Sequence, residues 1–66
     1  MTREEIIQKG EEQLGYILKQ LYKGNSTTFK KHWAETGIAQ LDMLFFILDE
    51  EFEKYDEWFW KFENYL

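Results

Sequence analysis

From Ile38 to Leu66, nine apolar side chains recur at alternating intervals of three and four: Ile38, Leu41, Phe45, Leu48, Phe52, Tyr55, Phe59, Phe62 and Leu66. At about 3.6 residues per turn, this spacing places all nine on one stripe of an α-helix. The chain has no Pro, and no Gly follows Gly37, so the composition offers nothing to halt such a helix. The pattern predicts a second helix over about 27–66. Counted from Thr28 it has 39 residues, which at about 1.5 Å per residue is roughly 58 Å.

A first helix is expected over about 3–23. Thr2-Arg3-Glu4-Glu5 fits a capping box, a hydroxyl followed three residues later by Glu. Ile7, Leu14, Ile17 and Leu21 form its apolar stripe, with Ile6, Leu18 and Tyr22 beside it. Gly10 and Gly15 each cost about 1 kcal/mol against Ala in a helix interior; Gly10 lies on the stripe, which points to close helix approach. Lys23-Gly24-Asn25-Ser26 is the stop, where Gly24 or Asn25 takes a left-handed C-cap, and Ser26 to Thr28 are suitable N-caps for the next helix.

Helix one, about 32 Å long by the same rise, covers only about half of helix two. The fold class that follows is all-α: a helical hairpin with a short first helix and a long heptad-patterned second helix, assembling into a helical-bundle oligomer. The uncovered seam assigns Phe45, Leu48, Phe52, Tyr55, Phe59 and Phe62 to an interface between copies. The alternative is a break near "DEEFEKYDE" and a compact three-helix bundle. With 13 of 66 residues aromatic and no Cys, packing between copies is the available route to stability for so short a chain.

Charge is divided along the chain. Residues 1–33 carry six Lys/Arg against four Glu, a net +2; residues 34–66 carry two Lys against nine acids, a net −7. Between Gln13 and Ala34 there is no acid, yet Lys19, Lys23, Lys30 and Lys31 all fall there. The longest apolar run, Met43 to Leu48, is too short to span a bilayer, and the charged start "MTREEIIQKGEE" does not read as a secretory signal. These features predict a cytoplasmic protein with no membrane partner. Abundant Lys, Glu, Ile, Phe, Tyr and Asn suggest an AT-rich genome, that of a bacterium or its phage.

No catalytic constellation stands out. His32 is the single histidine and Ser26 the single serine, and Ser26 is better placed as a helix cap than as a nucleophile. Without Cys and with one His, neither a zinc site nor a cofactor is expected. Asp49, Glu50, Glu51, Glu53, Asp56 and Glu57 have the chemistry to hold a divalent cation, but acids opposite a heptad seam ordinarily form a solvated face.

The stretch "YKGNSTTFKKHW", Tyr22 to Trp33, is more specific. A helix N-terminus offers unpaired N–H groups and the positive end of a dipole. Thr28 adds a hydroxyl, Lys30 and Lys31 add charge, and Tyr22 and Trp33 can stack on a base. Together they suit a phosphate-bearing ligand of nucleotide size; the plainer reading is a capped turn with solvated lysines. Long nucleic acid is disfavoured because the acidic half repels a polyanion.

Glu11 to Tyr22, "EEQLGYILKQLY", followed by "WAETGIAQLDM" from Trp33 to Met43, resembles the phage anti-CBASS cyclic-oligonucleotide sponges. The resemblance lies in Leu14, Gly15, Ile17, Leu21 and Tyr22 of the first helix and in Ala34, Thr36, Ile38 and Met43 of the second. It implies a small helical oligomer, hexameric in that family, that sequesters cyclic di- and trinucleotide signals without cleaving them. It also implies that Thr36 and Lys31 contribute to ligand sites between protomers. Leu44-Phe45 replaces a Trp-Ala pair of the family, and the tail from Asp49 to Leu66 has no counterpart there. The expected function is therefore immune evasion by capture of a cyclic oligonucleotide. The competing expectation is an acidic helical oligomer that blocks a host or defence protein by direct contact or by nucleic-acid mimicry.

Overall fold

A computed structural model describes residues 1–66 as three helices and no strand. They are α1 (Arg3–Lys23), α2 (Thr27–Ile47) and α3 (Tyr55–Glu63). The long second helix expected from the heptad seam is thus two helices, and the break falls at the alternative position.

Helix α1 begins as its capping residues dictate. The Thr2 hydroxyl accepts the Glu5 N–H at 3.2 Å and donates to the Glu5 carboxylate, also at 3.2 Å. At its other end Gly24 is extended, with φ −72° and ψ 146°, and neither Gly24 nor Asn25 is left-handed. Glycine is required there for space: a Cβ on Gly24 would stand 2.2 Å from the Phe29 ring. Ser26 then opens α2, its Oγ accepting the Phe29 N–H at 3.0 Å.

Why α2 stops at Ile47 is told by its last hydrogen bonds. The Glu50 N–H reaches the Phe45 carbonyl at 2.8 Å, and the Asp49 N–H reaches Phe46 at 3.0 Å. This pair is a Schellman ending, which ordinarily takes Gly at its left-handed position. Here Asp49 (φ 57°) and Glu50 (φ 64°) occupy that region without glycine. Stopping here leaves Asp49, Glu50, Glu51 and Glu53 just beyond the negative end of the α2 dipole, so helix electrostatics do not favour the break and packing must hold it. Leu48 and Phe52, both buried, anchor the chain on either side of the turn.

The chain then folds back, and the seam closes on itself. Leu48, Phe52 and Phe62, expected to meet another copy, lie buried in the core of the single chain with Leu14, Leu21, Ala34 and Leu41. Phe45, Tyr55 and Phe59, also expected at an interface, are half-buried and pack on one another; Phe45 and Tyr55 have ring centroids 4.7 Å apart, Tyr55 and Phe59 5.9 Å. The length mismatch that called for a partner disappears because α3 covers α2.

Two glycines set the helix spacing. A Cβ on Gly10 would stand 2.6 Å from Leu44, and one on Gly37 would stand 2.4 Å from the Phe62 ring. Polar contacts fasten α3 and its turn to α1: Lys54 Nζ lies 3.4 Å from Glu11 Oε1, and Trp58 Nε1 donates to the same oxygen at 3.5 Å. Arg3 also donates to the Glu51 carbonyl and pairs with its carboxylate at 3.8 Å.

One side-chain hydrogen bond joins the outer edges of α2 and α3. The Tyr55 hydroxyl donates to Asp42 Oδ1 at 2.6 Å. That bond, reinforced by partial burial and by the charges of Asp42 and Asp56, pushes the phenol pKa up to about 12. Because the folded value lies above the ordinary value of about 10, this contribution is complete below pH ~10 and fades as pH rises through the folded pKa. Tyr55→Phe should cost about 1 kcal/mol at neutral pH. Urea titrations of both proteins should show the gap narrowing between pH ~10 and ~12.

Candidate functional site

The first turn of α2 leaves the Thr27 and Thr28 N–H groups without helical partners, as every helix start does. Around that end the structure gathers some of the residues expected to hold an anion and separates others. Lys30 is half-buried, and its Nζ lies 5.8 Å from the centre of the Tyr65 ring. Tyr22, exposed at the end of α1, meets the same ring edge-on at 6.1 Å. Tyr22, Lys30 and Tyr65 therefore form one aromatic–cationic cluster at the hairpin pole, with Thr28 and Lys31 exposed on the same turn of α2.

Tyr65 was not among the residues expected there. It lies more than thirty residues beyond the lysines, and only the reversal at Asp49-Glu50 returns it to them. A straight helix would have carried it to the far end of the molecule.

Trp33 and Thr36 face elsewhere. At about 100° per residue, Trp33 stands on the opposite side of α2 from Lys31, and Thr36 is a third of a turn away from Lys30. Trp33 is half-buried against the core, with the Phe29 and His32 rings each 6.1 Å away. The Thr36 hydroxyl donates to the His32 carbonyl at 3.0 Å, and its side chain lines a groove shared with Glu12, Gln13, Tyr16 and Gln40. Tyr22, Thr28, Lys30, Lys31 and Trp33 line none of the grooves on the chain. An anion at the hairpin pole of a single chain would thus sit on a surface.

Six of the 13 acidic residues gather at the opposite pole. Glu4 and Glu5 open α1 there, and Asp49 to Glu53 form the α2–α3 turn beside them, joined through Arg3 and Glu51. No three His, Asp or Glu side chains converge in an arrangement that would hold a metal ion. No helix is long and apolar enough to cross a membrane. No family model, curated protein or solved structure matches the chain.

Proposed function

We propose that the chain is a non-enzymatic immune-evasion protein of phage type, which captures a cyclic nucleotide signal without cleaving it and works as an oligomer. The convergence of Tyr22, Lys30 and Tyr65 beside the free N-terminus of α2 carries this reading. The exposed Tyr22 ring offers a stacking face, Lys30 and Lys31 supply charge, and Thr28 and the first-turn N–H groups orient phosphate oxygens. Because this cluster is open in the single chain, a second copy is needed to enclose the ligand.

A thermal-shift screen against cyclic di-, tri- and tetranucleotides, with linear nucleotides as controls, tests it. Ligand at 100 times its Kd stabilises the folded state by about 2.7 kcal/mol, a rise in Tm of roughly 10 °C or more for so small a domain. The ligand should be recovered intact. Lys30→Glu with Lys31→Glu should abolish the shift while far-UV circular dichroism keeps its helical signal. Undiminished affinity in that variant would overturn the site.

A second reading, direct blockade of a basic partner protein, is favoured by one observation. Trp60 on α3 is 63% exposed, with Asp56, Glu57 and Glu63 within one turn of it. An exposed Trp is a frequent anchor of protein contacts, and its acidic flanks match a cationic surface. A folded sample that no nucleotide shifts would favour this reading.

A further inference from the structure

Helix α3 covers one side of the α1–α2 hairpin and leaves the opposite side bare. The bare side of α2 carries a second stripe, independent of the core seam: Phe29, Trp33, Thr36, Gln40, Met43 and Ile47, at intervals of four, three, four, three and four. All six are at least partly exposed. Read in either direction the stripe runs apolar, apolar, polar, polar, apolar, apolar. Beside it α1 presents Gln13, Tyr16 and Gln20, which are likewise symmetric about their centre. The two centres share one level of the hairpin: Gly10 packs beside Leu44, so counting six residues inward on each antiparallel helix sets Tyr16 beside Ile38.

We propose that this face pairs two copies of the chain about a twofold axis, α1 antiparallel to α1 and α2 antiparallel to α2. The proposal rests on the oligomeric part of the preceding reading and is independent of its ligand. An isologous interface brings each patch against its own reversed copy, and the stripe is composed for that. Met43 of one copy meets Trp33 of the other, Ile47 meets Phe29, and Gln40 meets Thr36. Glutamine carries both donors and acceptors, so Gln13 and Gln20 pair across the axis where two carboxylates would repel.

Charge selects the same arrangement. A chain of net charge −5 resists contact with itself wherever acids line the surface. The one acid at the centre of this face is Glu12, which lines the groove beside Thr36 and Gln40. Along its α1 edge stand Glu5, Glu12 and Lys19, seven residues apart, and antiparallel pairing sets Glu12 of each copy against Lys19 of the other. Lys9 then falls near the other copy's Lys23, a repulsion offset by Glu5 and Glu12 beside it. The molecule measures 38 × 16 × 15 Å; a face of those two longer dimensions is roughly 600 Å2 per copy, the low end of specific interfaces.

Sedimentation velocity over a wide concentration range should show a mass of two copies. Tyr16, 61% exposed, meets its own copy at the axis; Tyr16→Glu should raise the dissociation constant about tenfold or more with helical content unchanged. The chain has no cysteine. Tyr16→Cys should therefore form a disulfide-linked dimer under mild oxidation much faster than Glu35→Cys, whose position lies off the face. Equal rates, or a dimer that survives Tyr16→Glu, would overturn the face. A wild-type chain that stays monomeric throughout would overturn both the face and the oligomeric reading, while the nucleotide screen judges the ligand separately.

Discussion

Phe62→Ala should abolish cooperative unfolding. Phe62 is fully buried, and its ring fills the space that Gly37 leaves open on α2. Truncating a buried Phe to Ala costs about 3–5 kcal/mol, the lost transfer energy plus the cavity left behind. A core in a domain this short supplies about that much in total. Urea titration followed by circular dichroism should therefore show either no folded baseline or a midpoint close to zero denaturant. A loss below about 1 kcal/mol would mean that α3 is not seated on α2 as described.

Gly37→Ala should destabilise the chain, and Gly15→Ala should stabilise it, although both exchange a helical glycine for the best helix former. The intrinsic gain is about 1 kcal/mol at either site. At Gly37 the new methyl would stand 2.4 Å from a ring that is itself fully buried and stacked near Trp58, with centroids 6.3 Å apart. The ring has no free direction, so α3 must lift as a unit, and overpacking of this kind costs about 1–3 kcal/mol. At Gly15 the nearest atom is the edge of Trp58 at 4.0 Å, an ordinary contact. The two Tm values should move in opposite directions from wild type. A rise for both would show that α3 yields at little cost.

The first helix, the start of the second, their N-caps and most of the core were legible because they depend on local periodicity. The stripe of α1, the hydroxyl caps at Thr2 and Ser26 and the close approach at Gly10 all follow from short-range pattern and geometry. The heptad run also named the right core residues, Leu41, Leu48, Phe52 and Phe62, while misassigning what covers three of them. A heptad stripe marks a face that must be buried and does not say whether the cover comes from another chain or from the same one. The reversal was invisible to a search for Gly or Pro because Asp49 and Glu50 hold it without either. The candidate site suffered from the same fact. Tyr22 and Lys30 were readable as neighbours across a short turn, Tyr65 was not, and Trp33 and Thr36 lie on a face that proximity in sequence does not distinguish.

Two consecutive left-handed residues with side chains cost about 1–2 kcal/mol each relative to a right-handed turn. The two Schellman hydrogen bonds offset part of that cost locally; Phe52 and Phe62 offset the rest from a distance once they are seated. The turn is therefore an effect of docking and not its cause. The amides of α3 should therefore exchange with solvent before those of α1 and α2, as expected of an element that is seated last. Released from α2, the segment should relax toward the straight rod that its heptads encode, leaving packing to select the shorter of two helical lengths.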